Sequence, residues 1–256
     1  MNVFNKVKSF YDGYEGEKKI IGKSVKDKPI YAFSVFKTAR PLVLVQGAIH
    51  AREYVTANLL LMLAKDFILR GKRGTIWFVP MVNPDGVDIV LKGNSLYKAN
   101  ANGVDLNVNF PAKWGKGKSN VFIKGDENFV GKSPLCEPES QALADFTALI
   151  LPDMSISYHT KGEEIYWEFF QRGKRRLRDE KLAKTASMVT GYPIKSVKGS
   201  CGGYKDWCIE KLKIPALTIE VGSDDLIHPI KLKHTESIFK RNKDLLINLV
   251  SDLENI

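Results

Sequence analysis

The sequence has few cysteines, no long apolar run and no leader-like start, and each of these absences argues against a class of protein. Its three cysteines are odd in number and lack C-x-x-C spacing, which argues against a disulfide framework and a thiolate zinc site and favours reduced thiols. No segment reaches the ~18 consecutive apolar residues that cross a bilayer, so no membrane span is predicted. Residues 1–6 lack the apolar core of a signal peptide, which makes the cytoplasm the expected location.

The chain does have enough apolar residues for a sizeable core. It is 256 residues long and 44% hydrophobic, and it contains no repeat or linker, so a single domain over residues 1–256 is predicted. The net charge of +10 suits an anionic partner, although a solvated basic surface would also produce it. The lysines are scattered and no nucleic-acid-binding motif is present, so no nucleic-acid partner is predicted. Nothing in the sequence indicates an oligomeric state.

Strand-like apolar runs alternate with segments of helical spacing. The predicted strands are residues 18–24, 30–36, 41–48, 74–80, 154–159 and 214–221, and the predicted helices are 54–69, 137–149, 175–190 and 229–253. Residues 82–86 carry a turn signal, and residues 91–135 have little regular pattern. This alternation predicts an α/β fold with a mixed, largely parallel central sheet flanked by helices on both faces.

Four residues able to bind a metal ion or transfer a proton lie at or just past the ends of predicted strands. His50 and Glu53 follow one strand, and His159 and Glu220 end two others. Sites in such sheets form at the carboxyl ends of strands, and two histidines with one glutamate are a ligand set of catalytic Zn²⁺. Glu220 would then be a general base. The alternatives are a helix-capping Glu53, a core histidine at position 159 and a lysine-paired Glu220.

Five sequence blocks in a fixed order carry a resemblance to a known family. They are Gly47-Ala48-Ile49-His50-Ala51-Arg52-Glu53, Val82-Asn83-Pro84-Asp85-Gly86, Gly103-Val104-Asp105-Leu106-Asn107, Ser157-Tyr158-His159 and Thr218-Ile219-Glu220. From about Pro41 to Leu253 the chain resembles the zinc metallocarboxypeptidases related to pancreatic carboxypeptidase A.

The resemblance implies roles for individual residues. One zinc ion is expected on His50, Glu53 and His159, with Glu220 as the general base. Asp105 matches the aspartate that orients the first zinc histidine. Lys98 lies near the position of an arginine that stabilises the oxyanion; the alternative is a solvated lysine in a polar loop.

Two departures from the carboxypeptidase pattern bear on the substrate. Val108 replaces an arginine that clamps the C-terminal carboxylate of the substrate, and a tyrosine before Gly202-Gly203 is absent, with Lys198 nearest in register. Strict removal of C-terminal residues is therefore not expected.

The segments 157–167 and 202–207 are similar to the bacterial branch that cleaves γ-D-glutamyl-diamino acid bonds in cell-wall peptides. In that branch Lys205 would favour an acidic group, and Arg52 and Asn107 are further candidates for binding carboxylates of a small acidic peptide.

The sequence therefore predicts a zinc-dependent metallopeptidase that hydrolyses an amide bond in a small acidic peptide, the γ-D-glutamyl-diaminopimelate bond of cell-wall peptides. The alternatives are a conventional C-terminal metallocarboxypeptidase, a deacylase of another small amide, or a non-catalytic binding module that keeps the fold. The binding module is disfavoured because such proteins usually lose a zinc ligand or the general base, and all four positions are retained here.

Overall fold

Eight strands form one mixed sheet in the computed structural model, which describes residues 2–255 of the chain. The strands are β1 (Lys18–Lys23), β2 (Pro29–Phe36), β3 (Leu42–Gln46), β4 (Thr75–Val79), β5 (Met154–His159), β6 (Glu164–Tyr166), β7 (Ile194–Lys195) and β8 (Ala216–Glu220). Their order across the sheet is β1-β2-β4-β3-β5-β8-β6-β7. The central pairs β4–β3, β3–β5 and β5–β8 are parallel, whereas β1–β2, β2–β4 and β8–β6 are antiparallel.

Helices cover both faces of this sheet. They are α1 (Val3–Gly13), α2 (Val55–Arg70), α3 (Pro84–Leu91), α4 (Pro138–Ile150), α5 (Gly173–Thr190), α6 (Tyr204–Trp207), α7 (Thr235–Asn242) and α8 (Leu245–Leu253). Alternate residues of β4 point to opposite faces. Ile76 and Phe78 belong to one core together with residues of α1, α2, α5, α7 and α8, while Trp77 and Val79 belong to a second core together with residues of α4 and α6. Because both faces are covered, the central strands are apolar on both sides.

The predicted fold class is confirmed. All six predicted strands are present, with ends within two residues of their expected positions, and so are the helices α2, α4 and α5. Elements α1, α3, α6, β6 and β7 were not predicted. Within residues 2–255, no helix combines the length and the apolarity that crossing a membrane requires.

The turn predicted at residues 82–86 is the start of α3. The side chain of Asn83 accepts a hydrogen bond from the backbone N–H of Gly86 at 3.0 Å, and Pro84 occupies the first turn of the helix. An asparagine cap followed by proline is a common way to begin a helix. The turn signal therefore lies at the correct place in the chain, but the helix that begins there was not predicted.

The single closing helix predicted over residues 229–253 is wrong. The structure has a short 3₁₀ turn at Leu232–His234, then α7 and α8, which are separated at Lys243 and Asp244. The guanidinium of Arg70 donates a hydrogen bond to the carbonyl of Lys243 at 2.8 Å and pairs with Asp244 at 2.7 Å. A long-range contact thus takes up a carbonyl at the helix break.

Candidate active site

The carboxyl ends of three parallel strands bring the predicted site residues to one edge of the sheet. His159 ends β5 and is paired in register with Glu220, which ends β8. Residues paired in register point to the same face of a sheet, so these two side chains are neighbours. His50 follows β3, the strand on the other side of β5, and Glu53 closes the 3₁₀ turn Ala51–Glu53.

The donor atoms of His50, Glu53 and His159 form a compact triangle. His50 Nδ1 lies 2.9 Å from Glu53 Oε1 and 3.2 Å from His159 Nδ1, and His159 Nδ1 lies 3.0 Å from Glu53 Oε2. Tetrahedral zinc with bonds of ~2.0–2.2 Å separates neighbouring ligand atoms by about 3.3–3.6 Å, a few tenths of an ångström more than these distances. All three side chains are buried. The spacing and chemistry of these donors therefore fit a single zinc ion.

Electrostatics inside the cluster favour a bound cation. Burial alone would raise the pKa of Glu53, but the two imidazoles hold it well below its usual range. Burial alone would lower the pKa of His50, but the charges of Glu53 and Asp105 outweigh it and raise that pKa to about 9. Burial lowers the pKa of His159 despite its contact with Glu53. The cluster thus combines an ionised carboxylate and a neutral His159 with a His50 that is protonated without a metal and would release its proton when zinc binds.

Asp105 connects His50 to Lys98. One carboxylate oxygen lies 3.2 Å from His50 Nε2, and the other lies 2.7 Å from the ammonium of Lys98. Lys98 also donates a hydrogen bond to the side-chain oxygen of Asn128 at 2.7 Å. Burial lowers the pKa of Lys98 but the Asp105 carboxylate more than compensates, so the pKa is raised and the ammonium stays charged. A fixed positive charge therefore lies next to the predicted metal site.

Asn83 fixes the spacing between the segment of His50 and the segment of Lys98. Its side-chain amide donates to the carbonyl of Ile49 at 3.1 Å and to that of Ala99 at 3.0 Å. Gly86 is required beside it, because a Cβ there would lie 2.5 Å from the Ala99 carbonyl oxygen. Residues 82–86 thus hold the segments of His50 and Lys98 in position without being part of the site.

A pocket of about 210 Å³ opens beside Glu220. Asn107, Lys205, Asp206 and Thr218 are among its lining residues. Lys205 donates hydrogen bonds to Asp206 at 2.6 Å and to the carbonyl of Glu168 at 2.8 Å. Burial, and then the charge of Glu53, raise the pKa of Glu220 to about 8. A carboxyl group with a raised pKa that lines a pocket is suited to proton transfer.

The structure gathers most of the predicted residues but not Arg52. The guanidinium of Arg52 is held by Glu127 at 2.9 Å and by the carbonyl of Leu96 at 3.2 Å, and it does not line the pocket. Sequence reasoning missed Glu127 and Asn128, two consecutive residues that contact the two cations Arg52 and Lys98. They lie in the irregular segment 91–135, where no local pattern distinguishes them.

A family model described as zinc carboxypeptidase matches residues 16–238. The chain belongs to this family. Since its members use zinc, this family member is a zinc metallopeptidase, and the cluster of His50, Glu53 and His159 could hold the ion.

Comparison with individual proteins agrees with this family assignment. The chain is 31% identical to gamma-D-glutamyl-L-diamino acid endopeptidase 1 of Lysinibacillus sphaericus, over 94% of this chain and 68% of that protein. Its fold matches bovine thrombin-activatable fibrinolysis inhibitor with a TM-score of 0.88 at 22% identity, covering 99% of this chain and 96% of that one. It also matches carboxypeptidase A from Helicoverpa armigera with a TM-score of 0.82 at 18% identity, covering 98% and 71%.

Proposed function

We propose that this zinc metallopeptidase hydrolyses the γ-D-glutamyl-diaminopimelate bond of small acidic cell-wall peptides. The observation that carries the proposal is the ammonium of Lys205 in the pocket beside Glu220. A positive charge there selects a substrate group that ends in a carboxylate. The relative at 31% identity is named for action on a γ-D-glutamyl-diamino acid bond, which supports the same substrate class.

The contacts of Lys205 fix its ammonium at the pocket wall. Its side chain is mostly buried and is held by Asp206, whose pKa is raised by burial despite that pairing, and by the carbonyl of Glu168. Asn107 lines the same pocket and accepts a hydrogen bond from the backbone N–H of Tyr204 at 3.2 Å through its side-chain oxygen. This contact orients the amide nitrogen of Asn107 as a further donor to substrate oxygens.

Val108 argues against a substrate defined by its chain terminus. The valine side chain offers no donor to a C-terminal carboxylate. The backbone of Val108 is packed closely against residue 202, where a Cβ would lie 2.8 Å from the Val108 carbonyl oxygen and only glycine fits. We therefore place recognition on the acidic side chain of the substrate.

In the proposed mechanism, Glu220, Lys98 and Asp105 each have a separate role beside the zinc ion. When bound to His50, Glu53 and His159, zinc supplies a Lewis acid that polarises the scissile carbonyl and lowers the pKa of water. Glu220 in its ionised form takes a proton from the attacking water and then gives it to the leaving amine. Lys98 stabilises the negative charge that develops on the carbonyl oxygen. Asp105 holds His50 through Nε2, which leaves Nδ1 directed toward the cluster.

Mass spectrometry of the products tests the proposal. The substrate is L-Ala-γ-D-Glu-diaminopimelate, and its α-linked isomer is the comparison. We expect cleavage after the γ-D-glutamyl residue, loss of cleavage with a chelator and recovery with added zinc. Release of C-terminal residues from ordinary α-linked peptides, with the γ-linked substrate left intact, would instead indicate a conventional carboxypeptidase.

A Lys205→Gln variant tests the specificity. Hydrogen bonds to charged groups are worth about 1.5–3 kcal/mol, so kcat/KM on the acidic substrate should fall about 10- to 100-fold. An amide-capped substrate should be affected much less. Lys211→Gln is the control, because Lys211 is an exposed lysine that pairs with Glu210 and does not line the pocket. Equal losses on both substrates would contradict the role of Lys205.

A further inference from the structure

Lysines are scattered along the whole chain, but the excess of basic over acidic residues is concentrated in three segments, residues 111–125, 169–178 and 193–205. Together they contain 12 lysines and arginines and no aspartate or glutamate. Subtracting those 12 from the 39 basic residues of the chain leaves 27, against 29 acidic residues, so the rest of the protein has a balance of −2. An ordinary solvated surface would distribute both signs of charge.

The three segments pack together beside the substrate pocket. The backbone N–H of Gly202 donates to the carbonyl of Ala112 at 2.8 Å, and that of Lys118 donates to Gly199 at 2.8 Å. The ammonium of Lys113 lies 3.7 Å from the centre of the Phe170 ring, which joins the remaining segment. Phe169, Lys195 and Lys205 from two of these segments line the pocket itself.

Several of these cations are not neutralised. Arg176 and Arg178 pair with neighbouring carboxylates, as do Lys195 and Lys205. By contrast, seven exposed cations of the three segments make no ion pair with any of residues 2–255. One of them is Lys124. We call the surface that the other six form the basic lip: Lys113, Lys116, Lys118, Arg172, Lys174 and Lys198. An array of like charges without counter-charges is a site of high positive potential.

We propose that the basic lip binds an acidic peptide chain that extends out of the pocket. The occupant rests on the proposed function, because a substrate whose acidic group lies on Lys205 continues over the surface next to it. The unpaired positive charges of the lip favour a ligand that carries carboxylates. Because the lip adjoins the pocket, a peptide bound in the pocket can continue across it. The exposed ring of Phe170 lies among these cations and offers an apolar contact to the peptide backbone.

Binding of a labelled octaglutamate peptide tests the proposal. Fluorescence anisotropy with zinc-loaded Glu220→Gln protein measures the Kd without hydrolysis. The variant K113Q/K116Q/K118Q removes three lip charges, and K26Q/K72Q/K240Q removes three exposed lysines that make no ion pair among residues 2–255 and lie outside the three segments. Each exposed ion pair contributes roughly a factor of two, so the Kd should rise about eightfold for the lip variant and stay unchanged for the control.

Salt and competitors make the test decisive. Because exposed charges are screened within about 10 Å at 0.1 M salt, raising NaCl from 20 to 300 mM should weaken wild-type binding and remove the difference between the two variants. Equal losses in the lip and control variants would overturn the proposal. It would also be overturned if duplex DNA or anionic phospholipid vesicles, at equal charge concentration, bound the lip more tightly than octaglutamate.

Kinetics separate this proposal from the proposed function. In the Glu220-containing enzyme, the lip variant should retain kcat/KM on a short substrate that fills only the pocket, and lose about eightfold on one extended by acidic residues. If wild-type enzyme hydrolyses neither substrate, the proposed function fails while the anisotropy result still decides the lip. Equal kcat/KM of the lip variant and wild type on the extended substrate would refute the lip alone.

Discussion

Replacing Asp105 with Asn separates metal positioning from general stability. The two carboxylate oxygens of Asp105 serve different partners, His50 at 3.2 Å and Lys98 at 2.7 Å. Burial would raise the pKa of Asp105, but Lys98 and His50 hold it well below its usual range. A depressed carboxyl pKa contributes stability that is present above the unfolded pKa of ~3.9 and is lost as the pH falls through the folded pKa, so neutral pH reveals the full effect.

The expected magnitude has two parts. Loss of the group that orients a metal-binding histidine weakens metal affinity about 10- to 100-fold, or about 1.4–2.8 kcal/mol. Removal of one partner from a buried ion pair costs about 3–5 kcal/mol of folding free energy. Lys98 keeps its hydrogen bond to Asn128, and its side chain is 17% exposed, so a smaller loss of about 2 kcal/mol is expected here.

Two measurements test this prediction, with a matched control. Competition against a chromophoric chelator reports the zinc affinity, and urea unfolding of metal-free protein reports the free energy of unfolding. Asp179→Asn is the control, because Asp179 is also buried and pairs with Arg178 at 2.8 Å, but on α5. It should retain zinc affinity. A folded Asp105→Asn protein with wild-type zinc affinity would refute the role given to Asp105.

Three further predictions concern Glu220 and Lys98. Glu220→Gln should lower kcat about 10²- to 10⁴-fold with unchanged zinc affinity, and turnover near wild type would end its assignment as the base. Since the pKa of Glu220 is raised to about 8 and the charge of bound zinc lowers it, kcat/KM should rise with pH through an inflection between about 4.5 and 8; a profile flat from pH 4 upward would contradict this. Lys98→Met should lower kcat about 10²- to 10³-fold with little change in KM, and Lys98→Arg should lower it less, as steady-state kinetics can determine.

The parts of the site that were predictable are those encoded by local sequence. His50, His159 and Glu220 could be found because each follows an apolar strand, and parallel strands end at a common edge. Glu53 could be found because it is three residues from His50. The central strands were equally clear, because burial on both faces makes them continuously apolar.

The parts that were not predictable depend on distant contacts. Asn128 lies 30 residues from Lys98 and Glu127 lies 75 residues from Arg52, so only the folded chain brings each pair together. The break between α7 and α8 has the same origin, since it involves Arg70. Helix α1 is an exception, because Val3, Phe4, Val7, Phe10 and Tyr11 have helical spacing and could have predicted it.

The cluster of His50, Glu53 and His159 is better explained as a metal site than as a structural ion pair. The two imidazole Nδ1 atoms lie 3.2 Å apart, and both are also within 3.0 Å of one carboxylate. Only one proton fits between the Nδ1 atoms of His50 and His159. If both imidazoles were protonated, their like charges would repel each other in a buried environment. A structural pair needs only one histidine for Glu53. Keeping two histidines there imposes a desolvation cost that a divalent cation, bound to all three donors at once, offsets.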